Sequence, residues 1–284
     1  MITRAALKRD VLVLCYHAVS ESWTSGLAVT PQQLSDQLEL LLERGYRGAT
    51  FYEAVHDPPH PKTLAVTFDD SYRSVRELGQ PVLERLGLPG TVFVPTAYVG
   101  SEQPMSWPGI ERWVGGEHQH ELVPMSWPEL EALAQRGWEI GSHTRTHPRL
   151  TELDDIALAQ ELEGSRSDCE TTLGLPCRSL AYPFGDEDER VIAAAGRAGY
   201  LAAGALPSPL LHAATSLRWP RIAIHGWEAP DVFPRKVSPA RRRLRAQPWW
   251  RWVSARHQLR RKLAPGARRR MSRSQDERLD SSAS

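Results

Sequence analysis

The stretch Thr63–Tyr72, TLAVTFDDSY, constrains the fold most. Its apolar and β-branched run (Leu64, Ala65, Val66, Phe68) has the character of a buried strand. That strand ends on two adjacent carboxylates, Asp69 and Asp70. Burying an unpaired carboxylate is very costly, so the surroundings of this strand end must supply partners. Neighbours in a strand point to opposite faces, but the backbone turns where a strand ends. Two adjacent acids there can converge on one cavity, one binding a cation while the other stays free as a base. The competing reading is an N-cap pair for a helix that starts near Ser71.

A second stretch tips the balance towards a metal. In WEIGSHTRTHP (138–148) a short strand, Trp138–Ile140, leads through Gly141 to His143 and His147. If the segment after Ser142 is helical, the i,i+4 spacing puts both imidazoles on one face. Two neutral imidazoles and one carboxylate leave open positions on a divalent ion, as catalytic sites require. A histidine pair at this spacing is common on surfaces. A pair directly after one strand, matched by Asp-Asp directly after another, is far less common by chance.

TFDD, SHTRTH and a third stretch, AYPFG at 181–185, together resemble the first three motifs of the polysaccharide deacetylases (carbohydrate esterase family four, the nodulation-type deacetylase domain). The resemblance covers roughly residues 10 to 235. It implies an α/β fold, a distorted (β/α) barrel forming a catalytic domain over 10–236, followed by a basic tail over 237–284. It also implies a divalent metal, zinc ahead of cobalt, manganese or nickel, held by Asp70, His143 and His147. Asp69 is then the base, and the substrate an N-acetylated or O-acetylated glycan; a lipid-linked sugar joins the candidates only through the polar start and basic tail of the chain. A catalytically degenerate glycan-binding module, or a deacylase of another C–N or ester bond, stays open beside that reading.

The N-terminal strand DVLVLCY ends on His17. By itself His17 reads as a capping or core-edge histidine. YH after an apolar first strand also resembles the biofilm-matrix branch of the family, which makes His17 the expected general acid; imidazole suits that role because its pKa lies near neutrality. His225, after the late strand WPRIAIH, is the second candidate. Many relatives open the third motif with an arginine that orients the base, and here that place is Ala181. Arg221 is the expected replacement, with a surface salt bridge as its alternative. The fourth motif, an acid pair ending in tryptophan, is not evident, and Asp186 and Asp188 are weak substitutes. A backbone N–H after the histidine motif or near Tyr182 is expected to face the oxyanion. Tyr182 and Pro183 are expected at the substrate, as is Trp23 in a loop over the mouth. The long stretch 96–124 adds Trp107 and Trp113 as candidates for stacking on sugars and His118 and His120 as candidates near the mouth, because loops of that length in a compact domain are usually functional.

Capping signals place the helices. Thr30 with Pro31 opens one that stops at Gly45, Ser126 and Glu129 form a capping box, and Gly174 ends a helical pattern begun at Leu153. Tyr46–Phe51 reads as a short strand, 56–61 as a turn, and Tyr72–Leu86 as one helix.

The near-neutral total charge hides an asymmetry. Residues 241–284 hold fourteen Arg/Lys against three Asp/Glu, so the body is acidic and the tail basic. Trp249, Trp252, Leu259 and Leu263 give the tail a narrow apolar edge suited to an anionic membrane surface, with a solvated disordered tail as the alternative. No base-reading module accompanies the charge, so no nucleic acid is expected. Three cysteines without a CxxC pair suggest neither a disulfide framework nor a thiolate metal site. The start MITRAALKRD is too short and polar for a signal peptide. A cytoplasmic location is therefore expected, with peripheral contact at the inner face of the membrane.

Overall fold

Strands that alternate with helices and are buried on both faces call for a parallel sheet covered all round. The computed structural model, which describes residues 9–206 and 214–245, has that form. Along the chain, β1 (Asp10–Tyr16) is followed by a two-stranded pair, β2 (Ala18–Val19) and β3 (Ala28–Val29), and by helix α1 (Pro31–Glu43). Then come β4 (Arg47–Ala49), α2 (Phe51–His56), β5 (Lys62–Phe68), α3 (Gln80–Arg85) and β6 (Gly90–Val94). A long excursion leads to α4 (Trp127–Gln135), β7 (Glu139–Ser142), α5 (Asp155–Leu173), β8 (Ser179–Ala181) and α6 (Glu189–Arg197). The described chain finishes with β9 (Ala202–Ala205), β10 (Trp219–Pro220), β11 (Ile222–Ala223), α7 (Val232–Lys236) and α8 (Pro239–Arg245).

The main sheet runs β10-β9-β8-β7-β6-β5-β1-β11, and every pair in it is parallel. β4 pairs the first half of β5 and β6 the second half. The two outermost strands are one chain segment. Trp219 and Pro220 pair with Gly204 and Ala205 of β9, while Ile222 and Ala223 pair with Leu14 and Cys15 of β1. Only Arg221 separates them, so residues 219–223 hold both edges of the sheet and the barrel closes through the chain itself.

Local signals account for most boundaries. Capping boxes at Thr30/Gln33 and Ser126/Glu129 open α1 and α4, Asp154 caps α5, and Gly174 ends it at φ 65°. Two expectations are corrected. Tyr46–Phe51 is not a single strand: pairing stops at Ala49, and Thr50 with Glu53 forms a capping box that starts α2. The helix expected over Tyr72–Leu86 begins with a π-turn, Val75–Gly79, just before Pro81, which has no N–H to continue a regular ladder.

α2 matters for the site because it plugs one end of the barrel. Phe51, Ala54 and Val55 join Val13, Ala65, Phe93, Ala181, Ala202 and Trp219 in one interior cluster. Phe51 meets Phe93 edge to face at 5.4 Å, and Phe93 in turn underlies the Arg221 guanidinium at 5.2 Å. The interior is therefore filled from the amino ends of the strands, and the open end lies at their carboxyl ends.

Candidate active site

Left-handed backbone gathers at that open end. Among the described residues five non-glycines have positive φ: Asp70 (70°), Ser71 (53°), Thr144 (67°), His147 (59°) and Phe184 (59°). They lie in the loops after β5, β7 and β8. Such conformations cost roughly 1–3 kcal/mol each and persist only where their surroundings hold them. The turn at Asp70 and Ser71 gathers two carboxylates that an extended strand would send to opposite faces. It is held by Asp69 N–H on Tyr16 O (2.9 Å) and Met125 N–H on Ser71 O (2.9 Å).

The two aspartates then meet different partners. Arg221 grips Asp69 with both arms, Nη1 to Oδ1 at 2.6 Å and Nη2 to Oδ2 at 2.8 Å, and the guanidinium is wholly buried. Nη1 also reaches Thr67 Oγ1 (3.2 Å), and the Cys15 thiol donates to Asp69 Oδ2 (3.4 Å). Burial would push the Asp69 carboxyl up, but Arg221 and the nearby imidazoles outweigh it and hold it down at about 2. Burial likewise opposes the charge on Arg221, and Asp69 more than offsets that. The arginine missing at 181 in the third motif is thus matched in space by one from the strand that closes the barrel.

Asp70 has no such cation. Its Oδ1 lies 3.4 Å from Nε2 of both His143 and His147 and is buried without a hydrogen-bond partner among the described residues. His143 Nδ1 sits 2.8 Å from Ala181 O. A carbonyl can only accept, so Nδ1 carries the proton and the Nε2 lone pair faces Asp70. The segment between the histidines is not the expected helix. Thr144 and His147 take left-handed backbone, and the His147 amide donates to Thr144 Oγ1 (3.2 Å), so a capped turn brings the imidazoles together. Trp107 stacks on the His147 ring (4.1 Å, 21°) and Phe184 meets it edge-on (4.6 Å). Burial lowers the His147 pKa; it would lower that of His143 too, but Asp69 and Asp70 raise it overall.

An orphaned carboxylate oxygen beside two oriented imidazoles fits a divalent cation with open positions. A second cluster, Cys15, His17 and Asp69, also brings its ligand atoms within 4.8 Å of one another. It does not fit: both Asp69 oxygens are engaged by Arg221, and burial pushes the Cys15 thiol up so that it stays protonated. The chemistry of the donors therefore selects Asp70, His143 and His147.

These groups open onto a cavity of about 390 Å³. His17, His225, Tyr182, Phe184, Trp107 and Trp227 line it together with both aspartates and both histidines. His17 Nδ1 is buried without a partner among the described residues. Burial and Lys236 lower the pKa of His225. The Tyr182 ring faces the cavity, its hydroxyl donates to Leu217 O (2.7 Å), and its N–H is spent on Gly204 O (3.2 Å). Of the expected oxyanion donors, the Tyr182 N–H itself is therefore already engaged.

Several expected substrate contacts lie elsewhere. Trp23 is only 4% exposed and packs against Tyr72 and Trp113 as a loop anchor. Pro183 is buried behind the wall, where Phe184 presents its ring instead. Trp113, His118 and His120 pack on one another outside the cavity. Asp186 accepts from Thr151 and Asp188 caps α6. Sequence reasoning missed Cys15 as a donor to Asp69, along with Phe184 and Trp227. For Cys15 the signal was available in the placement of β1 beside β5.

The polysaccharide deacetylase family model matches residues 56–203. Bacillus subtilis (strain 168) YxkH is 25% identical over 193 residues, covering 66% of this chain and 61% of YxkH. The poly-β-1,6-N-acetyl-D-glucosamine N-deacetylase of Staphylococcus aureus (strain MSSA476) is 22% identical over 197 residues, 64% of this chain and 63% of that protein. The match thus spans less than two thirds of either relative. Among solved structures, the Streptococcus pyogenes deacetylase PplD in complex with acetate superimposes with a TM-score of 0.67 at 21% identity, over 81% of this chain and 99% of that one. IcaB from Ammonifex degensii gives 0.60 at 23% identity, over 81% and 96%. These structures share the fold.

Proposed function

The chain belongs to the polysaccharide deacetylase family, and on that premise we propose that it is a metal-dependent hydrolase removing acetyl groups, chiefly N-acetyl, from a sugar polymer. The observation that carries this is the division of labour between adjacent carboxylates: Asp69 in the fork of Arg221, Asp70 against two free imidazole nitrogens. Asp70, His143 and His147 would hold the ion, with zinc ahead of cobalt, manganese or nickel as its identity. The chemistry a divalent ion would supply there is Lewis acidity toward an acetyl carbonyl and toward water.

The chain's own residues do the rest. Asp69, kept ionised by Arg221, accepts a proton from the attacking water. His17 gives a proton to the leaving amine as the C–N bond breaks, with His225 as the second candidate for that step. Arg221 fixes the carboxylate's orientation, so the base needs no reorganisation during the reaction. This pairing counts against a degenerate binding module, whose support was the alanine at 181 together with the fourth motif that is not evident.

The Staphylococcus relative's name, and the YH and AYP-G stretches, support the biofilm-matrix branch and make N-acetylglucosamine polymers the first substrates to try. Deacylation of a non-sugar C–N or ester bond remains the competing chemistry. We place the end of the catalytic body after α8 rather than at 236, because Arg242 donates to Asp10, Tyr46 and Val11. Among the described residues no helix is long and apolar enough to cross a membrane. The apolar edge expected on the tail lies outside the described residues. Its contact with an inner membrane face, and with a lipid-linked glycan, belongs to this proposal; unchanged membrane recovery after deletion of 246–284 would remove it.

The decisive assay is acetate release from N-acetylglucosamine oligomers by zinc-loaded protein, chelated protein and Asp69→Asn. Release that needs both the metal and Asp69 is expected. Undiminished release by Asp69→Asn would sink the base assignment.

A further inference from the structure

The mouth of the cavity carries an indole that the reaction above does not use. Trp227 is 73% exposed, yet its ring is held in place. It lies nearly flat on the His225 imidazole, with centroids 5.1 Å apart and planes 15° apart. It also crosses Gly26, where a Cβ would come within 2.1 Å of the indole Nε1. The two loops that present it are joined back to back. Gly226 N–H donates to Gly26 O (3.2 Å), and Gln33 Nε2 donates to Gly226 O (3.2 Å). A Cβ at Gly226 would strike the Ala28 carbonyl at 1.8 Å. Glycine at both positions permits this approach, and the approach fixes the indole at the rim.

An indole left largely in water but held in a fixed orientation at the mouth of a cavity is placed to meet a ligand that enters it. One face of the indole is against His225, and most of the rest is free. A pyranose ring offers a matching face of C–H groups edged by hydroxyls, and an indole combines a flat apolar body with a polar N–H. Size adds a second constraint. At about 390 Å³ the cavity lies at the small end of the roughly 300–1,000 Å³ range of ligand sites. With the reacting sugar seated against Asp69 and Asp70, the next sugar of a chain lies toward the mouth, where Trp227 is part of the lining.

We propose that Trp227 is a stacking platform for the sugar next to the one that reacts, and that it makes this protein select chains over single sugars. The inference rests on the deacetylase reading above.

The test compares wild type with Trp227→Ala, Trp227→Leu and Trp227→Phe, all zinc-loaded. Acetate release is measured from the tetramer of N-acetylglucosamine and from p-nitrophenyl acetate, an ester that carries no second sugar. The expected result is about a tenfold fall in the tetramer-to-ester ratio of kcat/KM for Ala and Leu, carried by KM. Phe should recover most of the ratio because it restores a flat face, whereas Leu restores only bulk. Equal losses on both substrates, no loss on either, or recovery by Leu as good as by Phe would overturn the platform. If wild type releases acetate from neither substrate, the deacetylase reading fails on its own account. Calorimetric titration with the tetramer then judges the platform separately: roughly tenfold weaker binding by Trp227→Ala supports it, and equal binding, or none by wild type, overturns it.

Discussion

Asp69 and Asp70 are chemically identical neighbours that the fold makes different. Asp69 faces a fixed guanidinium and Asp70 faces the Nε2 atoms of two imidazoles, so their substitutions should separate. On the proposed mechanism, Asp69→Asn keeps the side chain's shape and leaves the three proposed ligands in place but removes the proposed proton acceptor. Turnover should fall on the order of 10²–10⁴-fold while zinc stays bound near one equivalent by elemental analysis. Asp70→Asn should lose the zinc itself. The Asp69–Arg221 pair also makes a stability prediction. A carboxyl held at about 2, below its ordinary value of 3.8, contributes stability that is present above the ordinary value and lost as pH falls through 2. The size is about 2.5 kcal/mol. On chelated protein, the stability gap between wild type and Asp69→Asn should shrink by roughly that amount between pH 5 and pH 2; a gap independent of pH would mean that Arg221 does not depress this carboxyl. Arg221→Met, by contrast, strands a buried carboxylate and should cost about 3–5 kcal/mol at neutral pH, read as urea midpoint. What was legible at this scale follows from local density. Asp-Asp and His-x-x-x-His announce themselves within a few residues, whereas Cys15 and Trp227 gain meaning only from partners more than fifty and two hundred positions away.

At the scale of elements, capping chemistry carried the reading and unusual backbone defeated it. α1, α4, α5 and β1 lie close to where their caps and apolar runs put them. α2 carried the same signal in Thr50-x-x-Glu53, but the β-rich stretch before it and the prolines after it obscured a six-residue helix. The loop 143–147 failed for a different reason. Histidines at i,i+4 suggest a helix, and nothing in the residue types foretells left-handed backbone at Thr144 and His147. Because α2 is the plug beneath Phe93, its integrity should be felt throughout the barrel. Phe51→Ala, fully buried, should cost about 3–5 kcal/mol. Thr50→Ala, which removes only the cap, should cost about 1 kcal/mol. Thermal or urea unfolding distinguishes the two, and equal small losses would show that α2 does not plug the barrel.

At the scale of the whole molecule, closure of the barrel and orientation of the Asp69 carboxylate are one event. Parallel strands were legible one by one, but nothing local says that residues 219–223 serve both edges of the sheet, because register between distant strands is fixed by tertiary pairing. The residue at the join is Arg221, so any shift in that closure moves the guanidinium that holds Asp69. Gly204 tests the coupling. It pairs with Trp219 across the join, and a Cβ there would lie 2.5 Å from Arg221 Nε and 2.6 Å from Cδ. The arginine cannot swing aside without releasing a two-armed ion pair, so Gly204→Ala must displace either the guanidinium or the strand. Displacements of about 1 Å in positioning groups can cost as much as 10²-fold in rate. Gly204→Ala should therefore lower kcat by at least roughly tenfold, and zinc stoichiometry measured alongside separates a displaced guanidinium from a disturbed metal site, because Ala181, the register partner of Gly204, holds His143 Nδ1. Gly87→Ala, at a solvent-facing helix end with open space around it, supplies the control, and its φ of 65° confines any cost to stability. Full activity in Gly204→Ala would show that the base is held independently of the way the barrel closes.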